Sequence, residues 1–176
     1  GLIVSTVASW CWKTEQLSVA CYRKPVNLSG QIVSFPVAVR LADGTTGQRF
    51  QLAVDRISDG ACNGPQDLSL TYWTQDPVLE LGDKLRLDVA LRPPPSQWNP
   101  ATFPDQLRAV ATGIDAHGSV RDVRSQISDD SLSVTSMRRA IRDRLYERDM
   151  TPRIRSIFLA LSIGFGGEIS GPDWQR

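Results

Sequence analysis

The sequence predicts a mainly β fold: a small barrel of five short strands followed by two C-terminal helices. Three observations carry this. Between Leu28 and Arg124, apolar and polar residues alternate in short runs, the period of strands buried on one face. Turn-rich stretches such as "ADGTTGQ" and "SDGACNGPQD" separate those runs. From Asp129 the apolar spacing changes to that of helices.

The elements follow in order. "SGQIVSFPVAV" is β-branched and interrupted by Pro36, which points to an edge strand or a bend. "RFQLAVDRI" sets Phe50, Leu52 and Val54 on one face and Arg49, Gln51, Ala53 and Asp55 on the other. "LSLTYW" sets Leu68, Leu70 and Tyr72 against Ser69, Thr71 and Trp73. After a Gly82-Asp83 turn, Leu85, Leu87, Val89 and Leu91 face inward, with Lys84, Arg86, Asp88 and Arg92 outward. "LRPPPSQWNPATFPD" is neither helix interior nor central strand, because proline removes a donor and restricts φ. A short helix carrying Phe103, Leu107 and Val110 follows, then a last strand, "GIDAHGSVRDV". Five strands is the number of the OB-fold. A two-sheet sandwich is the competing architecture and wants about seven.

The boundaries implied are a lead-in over 1–27, a barrel over 28–124 and helices over 129–176. In the first helix Val134, Met137, Ile141 and Leu145 form an apolar stripe, and Arg139, Asp143 and Glu147 are spaced to pair along its flank. Thr151-Pro152 reads as cap and first-turn proline, and Gly164 as the stop. Between them Ile154, Ile157, Phe158 and Leu161 form a main stripe, with Leu159 and Ile163 off it. A helix apolar on more than one face wants a lipid surface or another protein part.

The chain has 176 residues and a net charge of +1, so nucleic-acid binding would need a local basic patch rather than global basicity. The opening "GLIVSTVASWCW" is too short to cross a bilayer, which takes about 20 residues. It lacks the basic leader of a signal peptide. Two readings stand: the end of a transmembrane helix with Trp10 and Trp12 at the lipid boundary, or a first buried strand.

Three cysteines, Cys11, Cys21 and Cys62, with no C-x-x-C pair and one histidine, His117, argue against a zinc site. No nucleophile motif appears. "GFGG" at 164–167 has neither a lysine partner nor a preceding strand, so it is not a phosphate loop. We expect a binding module without a cofactor, not an enzyme. Arg49, Lys84, Arg86 and Arg92, with Trp73 and Trp98 nearby in sequence, have the chemistry to hold phosphates and stack bases. Arg138 and Arg142 on the basic helix are second choices. The competing reading is that these charges are simply solvated.

One resemblance sharpens the expectation. Gly82-Asp83, Leu87, Val89, Leu91 and Pro93 lead into Asn99-Pro100, Phe103 and Asp105, then Gly113-Ile114, Ala116, Gly118 and Val120. In order and spacing this resembles the N-terminal extracytoplasmic domain of the ComEC/Rec2 family, inner-membrane channel proteins of natural DNA uptake. The match runs from about Leu28 to Gln175. It departs at Ala101-Thr102, where the family has a glycine beside its Asn-Pro. The family's nuclease-like and polytopic membrane regions are not in this sequence, so their activities do not carry over.

The resemblance implies an OB-fold domain outside the inner membrane that contacts incoming single-stranded DNA. Its partners would also include the membrane surface, the remaining channel domain and other uptake proteins. It makes the opening stretch the tail of a membrane helix and places the Ile154, Ile157, Phe158 and Leu161 stripe at the bilayer. With extracytoplasmic placement, where oxidation is permitted, Cys21 and Cys62 in loop-like sequence are expected to pair. Two alternatives remain: a scaffold domain of the same channel that does not touch DNA, and a periplasmic module binding glycan or peptide.

Overall fold

The computed structural model describes residues 17, 19–22, 24–58, 62, 67–74, 76–94, 112–128, 133–167 and 169. The chain divides into two compact units, 1–127 and 128–176.

In the first unit a short 3-10 helix, Val19–Tyr22, precedes six strands. These are β1 (Val26–Ile32), β2 (Val37–Arg40), β3 (Thr46–Ile57), β4 (Asp67–Tyr72), β5 (Lys84–Arg92) and β6 (Ala116–Ile127). The sheet order is β1-β5-β6-β4-β3-β2, and β1 pairs back onto β3. That last pairing closes β1, β3, β4, β6 and β5 into a barrel. The β4–β6 seam is parallel and the other ladders are antiparallel. A five-stranded barrel with this connection order is the OB-fold.

Alternation holds the barrel together. Leu28, Ile32, Phe50, Leu52, Leu68, Leu70, Leu87 and Val89 are all buried on the inner side. Each such side chain contributes about 1.5–3 kcal/mol relative to exposure. Gly118 lets the wall pack tightly: a β-carbon there would sit 2.8 Å from both Leu70 Cδ2 and Val89 Cγ1.

The structure adjusts three expectations. The "SGQIVSFPVAV" run splits into β1 and β2, because Phe35 is buried and Pro36 follows it at the bend. There the Gln51 N–H donates to Ser34 Oγ at 2.8 Å and Val33 N–H donates to Gln51 O at 3.0 Å. Among the described residues β2 is thus a sixth strand, paired only with β3. β6 begins at Ala116, since Gly113 turns the chain with φ of 66°, and it continues to Ile127. Two register shifts against β5 let this long strand bend around the barrel.

The turn after residue 80 closes one end. Gly82 N–H donates to Ile32 O at 2.8 Å, and Ile32 N–H to Asp83 O at 2.9 Å. The buried Asp83 carboxylate accepts from Glu80 N–H at 2.9 Å and from Gln126 Nε2 at 2.7 Å. Leu79 and Leu81 are buried in the same loop. Cys21 and Cys62 form a disulfide with Cα atoms 5.4 Å apart, tying the 3-10 helix to the segment after β3.

The second unit holds α1 (Val134–Tyr146) and α2 (Pro152–Ile163), which pack on each other. α1 starts from a reciprocal cap: Ser136 N–H donates to Ser133 Oγ at 3.1 Å, and Ser133 N–H to Ser136 Oγ at 2.9 Å. Thr151 caps α2, Pro152 opens it and Gly164 ends it with φ of 69°. Arg138 reaches from α1 to donate to Ile163 O at 2.8 Å, neutralising the end of α2. Arg155 lies over the Tyr146 ring, 5.1 Å from its centre. Asp143, expected to pair along the flank, is held by its neighbour Arg142. Among the described residues no helix is long and apolar enough to cross a membrane. The opening stretch with Trp10, Cys11 and Trp12, and the segment with Trp98, Phe103 and the expected short helix, lie outside the described residues.

Candidate nucleic-acid interface

The outer wall of β3 and β4 is built by register. Arg49 stands opposite Thr71, Gln51 opposite Ser69 and Ala53 opposite Asp67. Since Phe50, Leu52, Leu68 and Leu70 take the inner side, these residues all face out. One row further, beyond the Gln48–Tyr72 pair, the half-buried Trp73 meets Gly47. A β-carbon on Gly47 would fall against the end of β4, 2.5 Å from the Tyr72 carbonyl oxygen and 3.0 Å from Trp73 Cε3. The indole therefore covers Gly47 on the same face as Arg49, a diagonal neighbour at roughly 7–8 Å between strands.

Inward-facing partners fix this corner. Tyr72 OH donates to Asp76 O at 3.2 Å. Gln48 Nε2 donates to Pro77 O, and Leu79 N–H to Gln48 Oε1, both at 3.2 Å. They hold the chain that leaves Trp73, so the indole is placed by the barrel rather than by its own loop.

The wall continues across the parallel seam. Ser69 stands beside His117 and Thr71 beside Ser119 on β6. On β5, Arg92 stands opposite His117 and Ala90 opposite Ser119. Trp73 at the end of β4 and Arg49 on β3 thus lie up to three strand steps around the closed barrel from Arg92 on β5, with small hydroxyl side chains between them.

Lys84 and Arg86 share the outer face of β5 with Arg92 but stand toward the opposite end of the strand, where β6 places Ile127 and Ser125 beside them. Lys84 pairs with Gln31 and Arg86 with Ser29 on β1, and Ser29 also stands opposite Arg56 on β3. Beside them Asp88 accepts from Arg124 Nε at 2.8 Å and from Asn27 Nδ2 at 2.9 Å. The Arg124 hydrogen bonds first, and that of Asn27 second, hold the Asp88 carboxyl below its ordinary value. The four cations grouped from strand periodicity therefore separate: Arg49 lies on β3 beside the Trp73 corner, Arg92 at the His117 end of β5, and Lys84 and Arg86 at the other end of β5 beside β1.

In the helical unit Arg138 is occupied with Ile163 O, and Arg142 is largely covered and bound to Asp143. The α2 stripe is exposed: Ile154 46%, Ile157 41%, Phe158 52% and Leu161 82%. The buried face is Ser156, Leu159 and Ile163, the residues off that stripe. Sequence reasoning passed over Gln51, Ser69, Thr71 and His117 as parts of a wall. The signal was present, since each faces outward by alternation, but only register joins them.

No family model matches the chain, and comparison with curated proteins finds no match. Among solved structures the chain is similar to a small single-stranded DNA-binding protein from Streptomyces coelicolor. The identity is 17% and the TM-score 0.35, over 62% of this chain and 95% of that one.

Proposed function

We propose that the barrel binds single-stranded DNA on the outer wall of β3 and β4, without sequence preference. The observation that carries this is the placement of Trp73 over Gly47 with Arg49 beside it. A part-exposed indole offers a base a stacking surface, and a neighbouring guanidinium offers its phosphate a partner. The OB-fold commonly uses the face of these two barrel strands for oligonucleotides and oligosaccharides. The hydroxyl floor of Ser69, Thr71 and Ser119 lets a chain approach the backbone closely.

The wider reading is an extracytoplasmic domain of a DNA-uptake channel, as the sequence resemblance implies, acting as a binding module rather than an enzyme. The Cys21–Cys62 disulfide supports an oxidising compartment. The exposed Ile154, Ile157, Phe158 and Leu161 stripe, with Arg153 exposed on the same helix, supports contact with an anionic lipid surface. The same polar wall also suits sugar hydroxyls, which keeps a glycan in view.

Titration of the full chain with labelled single strands, duplex and an oligosaccharide tests the reading. Tightest binding to single strands, weakened by Trp73→Ala, is the result expected. Preference for the oligosaccharide would replace DNA by glycan. Binding of none of the three would leave a scaffold role.

A further inference from the structure

One imidazole stands on the outside of β6. His117 is the only histidine of the chain, and its strand register places it between Ser69 and Arg92. By alternation its side chain belongs to the outer face, since Ala116 and Val120 are buried on the inner one. The charged groups around it are unevenly arranged. Arg92 stands opposite on β5. One row earlier along the strands are two carboxylates: Asp67, two residues before Ser69 on β4, and Asp115, two residues before His117. Asp115 Oδ2 accepts the Asp67 N–H at 3.2 Å. From the 3-10 helix, the Tyr22 hydroxyl is pushed up by burial and then by the Asp115 charge. Arg49 on β3 stands one row away, beside Thr71.

We propose that the DNA track runs diagonally from Trp73 and Arg49, over Thr71, Ser69 and Ser119, to a phosphate subsite formed by His117 and Arg92. This rests on the single-strand reading above and adds a route and a pH response to it. The route follows from charge and space. Asp67 and Asp115 repel phosphate from the row before His117, so the chain is held to the rows of Arg92 and of Thr71 with Ser119. The floor between the two ends is Ser69, Thr71 and Ser119, none with bulk to block a backbone. Adjacent strands are roughly 4.8 Å apart, so crossing from β3 over β4 and β6 to β5 covers about 14 Å, room for a short stretch of nucleotides. Arg92 supplies a permanent positive charge. His117 supplies a second one only when protonated. A bound phosphate favours the charged imidazole, and by linkage the charged imidazole favours the phosphate.

The test uses the full chain and a labelled oligothymidylate, titrated at pH 7.5 and about pH 5.5 at fixed ionic strength. Binding about threefold tighter in acid is expected, matching a rise of roughly half a unit in the histidine titration when DNA is bound. A lone histidine gives one imidazole signal, so proton NMR follows its titration directly with and without DNA. His117→Gln should abolish the acid gain. Arg92→Gln should flatten the salt dependence by about 0.7 in log-log slope, the loss of one phosphate contact. If Trp73→Ala weakens binding but His117→Gln keeps the full acid gain, the subsite is wrong and the single-strand reading stands. If the histidine titration is indifferent to DNA, the subsite is likewise wrong. If the unmodified chain binds no oligothymidylate at either pH, both fall.

Discussion

Trp73 lies against Gly47: a β-carbon added to that glycine would fall 3.0 Å from Trp73 Cε3 and 2.5 Å from the Tyr72 carbonyl oxygen. The close approach makes Gly47 part of the proposed site although it has no side chain. Gly47→Ala must push the indole and the strand end apart, and we expect a loss of about 1–3 kcal/mol in stability. Trp73→Ala should instead keep most of the stability and weaken single-strand binding by roughly 1–3 kcal/mol. Urea unfolding and oligonucleotide titration of the two variants separate these effects.

Arg49→Gln should reduce the slope of log affinity against log salt by about 0.7, one phosphate contact on a single strand. Lys84→Gln with Arg86→Gln probes the β1 wall and should leave that slope as it was. A shallower slope in this double variant would extend the interface around the barrel.

The disulfide spans 41 residues of sequence, so closing that loop removes about 4 kcal/mol of unfolded-state freedom in the chain-entropy model. Cys21→Ser or Cys62→Ser should lower the urea midpoint accordingly. Thiol counting on the denatured, non-reduced protein should find only Cys11 free.

Asp88 gives the barrel an acid-labile tie. Its folded carboxyl sits below the ordinary 3.8 because Arg124 and Asn27 hold the charged form. The stability it contributes is present above that ordinary value and is lost as pH falls through the lowered one. Asp88→Asn should therefore be less stable than the parent at neutral pH, with the difference shrinking below about pH 4. Unfolding curves across pH 2–7 check the sign.

Phe158→Glu with Leu161→Glu should abolish flotation of the full chain with anionic vesicles while leaving its helix content unchanged. Both side chains are exposed, so neither change opens the α1–α2 contact. A chain ending at Met150 should likewise fail to float. Equal flotation of all three would remove the lipid role.

What the residues determined by themselves is local. Period-two alternation told which side chains of β3, β4 and β5 face inward, because neighbouring side chains on a strand must point opposite ways. The caps of α2 were equally legible, since Thr151, Pro152 and Gly164 each answer a need of the helix end next to them. Tertiary structure alone decided what those faces meet. Closure of β1 onto both β3 and β5 set Lys84 and Arg86 beside β1 at one end of β5, and the parallel β4–β6 seam put His117 beside Ser69, with Arg92 opposite it at the other end of β5. It also buried Ser156, Leu159 and Ile163 of α2 and left the larger apolar stripe exposed. The physical reason is range: a side chain's direction is set by its own backbone, whereas its neighbours across a ladder are set by pairings between segments far apart in sequence.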